Sequence, residues 1–113
     1  MTEREFNDRV DQAMARIQNA LDVSNADLDW EMSGGSVLQI TFDNGSKIIV
    51  NRQGAAQEIW VAARSGGYHY RWQDDAWLDT RDGTDLFDAL GRLASEQGSV
   101  TLDALKAWTR VGQ

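Results

Sequence analysis

Residues 47–62 read KIIVNRQGAAQEIWVA. Two strand-like runs, KIIVNRQ (47–53) and EIWVA (58–62), are joined by a short Gly-Ala-Ala link. Period-two alternation sorts their side chains. In the first run Ile48 and Val50 share one face, and Ile49, Asn51 and Gln53 the other. In the second, Ile59 and Val61 lie opposite Glu58, Trp60 and Ala62. Pairing apolar with apolar sends Ile48, Val50, Ile59 and Val61 to a core and leaves Trp60 outside it, beside Asn51 and Gln53. One dry face and one open face is the mark of an antiparallel sheet covered on a single side.

The same alternation extends in both directions. Asn44-Gly45 is a hairpin signal, and before it Val37 to Asp43 sets Leu38, Ile40 and Phe42 on one face. A Ser33-Gly34-Gly35 turn precedes that strand. The segment Asp27-Leu28-Asp29-Trp30-Glu31-Met32 alternates acid with apolar, which predicts a half-buried strand with its acids outward. Downstream, a turn at Gly66-Gly67 leads to a strand from Tyr68 to Trp72, with His69 and Arg71 outward and Tyr68, Tyr70 and Trp72 inward. After Asp74-Asp75 a short strand is expected at Ala76 to Asp79, and Asp82-Gly83 ends the sheet.

Helical periodicity flanks the strands. Thr2 with Glu5 is a capping-box start, and Phe6, Val10, Ala13, Met14, Ile17 and Leu21 recur at the 3-and-4 spacing of an amphipathic helix over residues 3 to 21 or 22. Thr84 is expected to cap a second helix striped by Leu86, Phe87, Leu90, Leu93 and Ala94, with Gly98 beyond its end. In the tail VTLDALKAWTRVGQ (100–113), Leu102, Leu105 and Trp108 stand at helical spacing and are expected to pack back on the body. The reading is a single α+β domain over residues 1–113. It is a two-layer α/β sandwich with two roughly parallel helices on one face of an antiparallel sheet of about six strands.

Composition narrows the function. The chain has no cysteine, which removes disulfides, zinc–thiolate sites and thiol nucleophiles. Its first residues are polar and acidic, unlike a signal or transit segment, and no run reaches the ~18 apolar residues of a membrane helix. A soluble protein of a reducing compartment is expected. Of the net charge of −7, residues 1–31 carry −5, from eight acids against three arginines. Nucleic acid and anionic membranes are disfavoured as partners; metal cations and basic protein surfaces are favoured.

Two surfaces carry candidate chemistry. On the open sheet face Trp60 is ringed by Asn51, Gln53, His69 and Arg71. That is the composition of a protein-binding hot spot, or of a cross-strand cluster that shields the backbone. Along the first strand, Asp27, Asp29 and Glu31 fall roughly 6.5–7 Å apart, too far for neighbours to close on one ion at about 2.0–2.6 Å. Ions would sit between this row and acids such as Asp22, in an open, hydrated, weak site of hard oxygen ligands. Equally, such acids solvate a strand edge and block aggregation. No nucleophile–base pair in a recognisable motif, phosphate loop or carboxylate pair in an evident apolar pocket points to an enzyme.

ITFDNGSKIIVNRQ (40–53), Ile59-Trp60 seven residues after Arg52, SGGYHYRW (65–72), Trp77, and DLDWEMSGG (27–35) together resemble the frataxin family in its bacterial form. The resemblance covers nearly the whole chain. It implies two helices on an antiparallel sheet and a cytoplasmic accessory role in iron–sulfur cluster assembly, with weak binding of Fe2+ and Fe3+. It also implies docking on the cysteine desulfurase, often with its scaffold protein, to tune its activity; an iron chaperone or store, and less readily a ferroxidase, are the alternatives. It implies a monomer without metal and leaves oligomers with iron open. Carried onto this chain, the metal ridge would be Glu3, Asp11, Asp22, Asp27, Asp29 and Glu31, with Asp43 nearby. The partner surface would be Asn51, Gln53, Trp60 and His69, assisted by Asp22. The chain departs from the family pattern in its thinner ridge, with Gln18 and Asn19 at the helix end, in Ala55 for a common proline, and in Glu58 for the usual glutamine.

Overall fold

The computed structural model describes residues 1–105; Trp108 and the rest of the tail, with the expectation attached to them, lie outside the described residues. Helix α1 (Glu3–Asp22) is followed by strands β1 (Leu28–Ser33), β2 (Val37–Phe42), β3 (Lys47–Gln53), β4 (Glu58–Ala63), β5 (Gly66–Gln73) and β6 (Ala76–Asp79), then helix α2 (Leu86–Gly98). The six strands form one antiparallel sheet in sequence order, β1-β2-β3-β4-β5-β6. Two helices on a six-stranded antiparallel sheet is the architecture the sequence predicts.

Both helices bury their apolar stripes on the same sheet face. Phe6, Val10, Met14 and Ile17 of α1 and Leu86, Leu90 and Leu93 of α2 join Leu38, Ile40, Ile48, Val50, Ile59, Val61, Tyr70 and Trp77 in one buried cluster. Leu28, Trp30 and Met32 pack partly buried against it, as the alternation of β1 requires. Burial also pushes the Tyr70 phenol up from its ordinary pKa, with the charge of Asp79 adding to it. The chain beyond α2 returns to this core, with Val100, Leu102 and Leu105 buried.

Local details differ from expectation for identifiable reasons. The N-cap of α2 is Asp85, not Thr84: its carboxylate accepts from the Phe87 and Asp88 amides at 2.9 and 3.2 Å. The Thr84 carbonyl is instead taken by the Asp79 amide. The β4–β5 turn is Arg64-Ser65, and Gly66 and Gly67 belong to β5. Gly98 is the last residue of α2 rather than the residue past it, and the left-handed cap is Ser99, at φ 55°. The reason for glycine at 98 is close approach, because a Cβ there would fall inside contact distance of the Phe42 ring.

Three polar side chains brace the layers. Gln97 donates to the Lys47 carbonyl and accepts from the Arg64 amide, both at 2.8 Å, so the end of α2 is tied to two hairpins. Arg16 is buried within α1, its guanidinium 3.5 Å from the centre of the Phe87 ring and donating to the Leu105 carbonyl. Arg52 takes the inward parity of Ile48 and Val50 but emerges near the first half of α1. There it donates to Asn7 Oδ1 at 2.9 Å, the Gly35 carbonyl at 2.8 Å and Asp11 at 2.5 Å.

Gly98→Ala tests the close approach. Helix propensity alone would stabilise the protein by about 1 kcal/mol. Overpacking against Phe42 is expected to win, lowering stability by about 1–2 kcal/mol. Thermal or denaturant unfolding of the variant reads the sign directly.

Candidate functional site

The uncovered sheet face brings the expected partner residues together by register. Asn51 faces Trp60 across β3–β4, and Trp60 faces His69 across β4–β5, so the three form one cross-strand row. Gln53, Glu58 and Arg71 form the next row. The Trp60 indole lies flat on the His69 imidazole, with ring centres 4.4 Å apart and planes 10° from parallel. That is a stacked cross-strand pair, held by geometry the alternation alone does not give.

Glu58, which parity places on the open face, is the residue whose burial and contacts sequence reading missed. It points to the open face, as its parity requires, yet is only 5% exposed because its neighbours close over it. Its Oε1 accepts the Trp60 Nε1–H at 2.8 Å, and its Oε2 accepts from Arg71 Nη2 at 2.5 Å. His69 Nδ1 lies 3.5 Å from Oε1. Burial by itself would raise the carboxyl pKa, but the hydrogen bonds from Trp60 and Arg71 and the Arg71 charge outweigh it. The net effect holds Glu58 below the usual carboxylate range, and so ionised. The sequence signal was present: Glu58 and Trp60 share parity two residues apart, and Arg71 is outward on the next strand.

The acids form a different kind of feature. Asp29 and Glu31 are exposed on the open side of edge strand β1, facing Thr41 and Gln39. Asp27 precedes β1 and Asp43 follows β2; since Leu28 pairs with Phe42, both lie toward the same end of that hairpin. Asp22 is the last residue of α1, whose final turn has no basic residue, so the carboxylate adds to the negative end of the helix dipole. Glu3 sits at the opposite end of α1, roughly 28 Å away at 1.5 Å per residue. Asp11, between them, is paired with Arg52. Among the described residues no three His, Cys, Asp or Glu side chains converge as a metal-holding group. The ridge is therefore a spread negative field along one edge, chemically suited to hydrated hard cations rather than to one enclosed ion.

The model of the frataxin-like domain matches residues 1–100. An iron–sulfur cluster assembly protein CyaY from Dechloromonas aromatica is 54% identical over 97 residues, 86% of this chain and 92% of the relative. The protein of that name from Paraburkholderia phymatum is 47% identical over 97 residues, 86% of this chain and 91% of its own. Among solved structures, a frataxin from Psychromonas ingrahamii superposes with a TM-score of 0.86 at 32% identity, covering 92% of this chain and 98% of its own. A trimeric frataxin from the yeast Saccharomyces cerevisiae, at TM-score 0.65 and 22% identity over 88% of each chain, shares the fold. Among the described residues no helix is long and apolar enough to cross a membrane.

The depressed Glu58 carboxyl has a pH signature. A group whose folded pKa lies below its unfolded value adds stability above the unfolded pKa, and that stability is lost as pH falls through the folded value. Acid titration should therefore loosen the open-face cluster, and Glu58→Gln should flatten the acid limb of the stability–pH curve. Urea midpoints from pH 7 downward, for both proteins, measure it.

Proposed function

The chain belongs to the frataxin-like family, and from that membership we propose that it is an accessory protein of iron–sulfur cluster assembly that acts by docking. On this reading it binds Fe2+ and Fe3+ weakly as cargo or effector, engages the cysteine desulfurase with its scaffold, and regulates them according to iron. The single observation that carries the docking is the Trp60–His69 stack on the uncovered sheet face. An aromatic pair already fixed in place, with Asn51 and Gln53 beside it, has the anchor-and-amide chemistry of a binding hot spot.

Iron would be held at the β1 edge and the end of α1, by Asp22, Asp27, Asp29 and Glu31, with Asp43 at the same end of the hairpin. Glu3 would add to the long-range field, while Asp11, paired with Arg52, would contribute little to it. Exposed carboxylate oxygens that do not close around an ion leave most of its water in place, so affinity is low and exchange fast. That openness also suits delivery, which keeps an iron chaperone as the second reading. Oxidation of Fe2+ by a preorganised two-metal centre is not favoured, because convergent ligands are absent among the described residues.

The bacterial cytoplasm is the compartment this role implies. A monomer without metal is the working state, with association driven by iron where cations bridge two acidic edges.

Sulfide production by the cognate desulfurase, with and without this protein across Fe2+ and salt concentrations, tests the role. The effect should shrink steeply with ionic strength, since exposed charges steer the encounter; a salt-independent effect would count against it. Asp22→Asn, Asp27→Asn and Asp29→Asn together should abolish Fe2+ binding while the thermal midpoint stays near the parent's. Trp60→Ala should weaken the desulfurase complex and leave Fe2+ binding intact. Calorimetric titration of each variant separates the two surfaces.

A further inference from the structure

We infer that Glu58 is the positioning residue of the open face: it fixes the Trp60 indole against His69 and locks β4 to β5, so that the docking surface is formed before a partner arrives. The inference rests on the reading of Trp60 as a partner anchor.

Four residues make a two-by-two block on adjacent strands. Glu58 is directly opposite Arg71, and Trp60 directly opposite His69. Same-face neighbours on one strand stand roughly 6.5–7 Å apart, a gap the Glu58 side chain spans to meet the indole edge at 2.8 Å. The indole N–H is a donor only, and a partly buried one needs an acceptor to hold its rotamer. Glu58 Oε1 supplies it. The second oxygen is taken by Arg71, so the carboxylate cannot swing away from the indole without breaking an ion pair.

The block also sets the charge a partner meets. Glu58 is buried and paired with Arg71, while the Arg71 and His69 side chains remain 60% and 48% exposed. A docking partner therefore sees an aromatic stack rimmed by nitrogen donors, not a carboxylate. Replacing this acid removes no exposed contact. Its effect on docking passes mainly through the indole it holds, and secondarily through the Arg71 and His69 side chains it pairs.

Preorganisation lowers the ordering cost of binding, and losing it at one large side chain should weaken affinity by roughly 3- to 10-fold. The experiment measures desulfurase dissociation constants for Glu58→Leu and Glu58→Gln, each in the parent and in a Trp60→Phe background. It is joined to 15N NMR of the indole N–H groups. Glu58→Leu should shift and broaden the Trp60 indole signal while those of Trp72 and Trp77 stay in place, showing that the fold is kept. It should raise the dissociation constant by the stated factor, and Glu58→Gln, which keeps an acceptor oxygen, should restore it to within about twofold. In the Trp60→Phe background, with no N–H to hold, Glu58→Leu should cost clearly less affinity than in the parent, the remainder coming from the broken Arg71 pair. An unmoved Trp60 signal, or an equal loss in both backgrounds, overturns the inference. Unchanged affinity in Trp60→Ala would instead overturn the docking reading, and the indole signal would still decide the positioning.

Discussion

Among the described residues the sheet is covered on one side only, and the other features of the molecule follow from that. Six antiparallel strands put alternate residues on each face, and both helices lie on the same one. The covered face needs no polar solution beyond its braces. The other face has a tryptophan that neither α1 nor α2 shelters, and its setting depends on what its own strands supply. Same-strand and cross-strand neighbours are the source: Glu58 of β4 accepts the indole N–H, and His69 of β5 stacks on the ring, so the register of β3, β4 and β5 carries the chemistry of the site.

The covered face shows the complementary problem, polar groups that must cross apolar ground. Arg52 and Arg16 both do so, one emerging beside Asn7, Gly35 and Asp11, the other lying on Phe87 and reaching the Leu105 carbonyl. A buried cation without a partner is strongly destabilising, so these arginines hold specific elements in specific places. Arg52 has a second consequence: it occupies Asp11 and so takes one acid out of the negative field of α1. The ridge that remains for cations is concentrated toward the β1 edge and the end of α1.

The fold was legible because its signals were periodic. Alternation in 47–53 and 58–62 placed Trp60 beside Asn51, and both facts survive in the register. What was not legible depended on contacts between elements distant in sequence. Thr84 was expected as a cap from residue type, but the neighbouring Asp85 turns its carboxylate onto the helix amides while the Thr84 carbonyl serves Asp79. Gly98 looked like a helix terminator; only the position of Phe42, 56 residues earlier, explains it. Glu58 stood out in the sequence as a replacement for the usual glutamine, and parity was right about its face. Its burial arises because Trp60, His69 and Arg71 all turn toward it, a convergence that no single-strand pattern encodes.

The two candidate surfaces share one face, and that geometry limits how iron could influence docking. β1 and β4 are three strands apart, about 14 Å at 4.8 Å per spacing. This exceeds the Debye length of about 8 Å at physiological salt, so a cation among Asp29 and Glu31 is largely screened from Trp60 through solvent. No rigid lever joins them either: the intervening row is Glu31, Gln39, Ile49 and Ala62, side chains with no charge after the first. A typical partner, however, covers about 800 Å2 of each surface, a patch some 28 Å across. Such a footprint spans both the acidic edge and the aromatic row. Coupling between iron and docking is therefore expected through the partner, whose basic groups compete with the cation for the same carboxylates while its other contacts settle on Trp60.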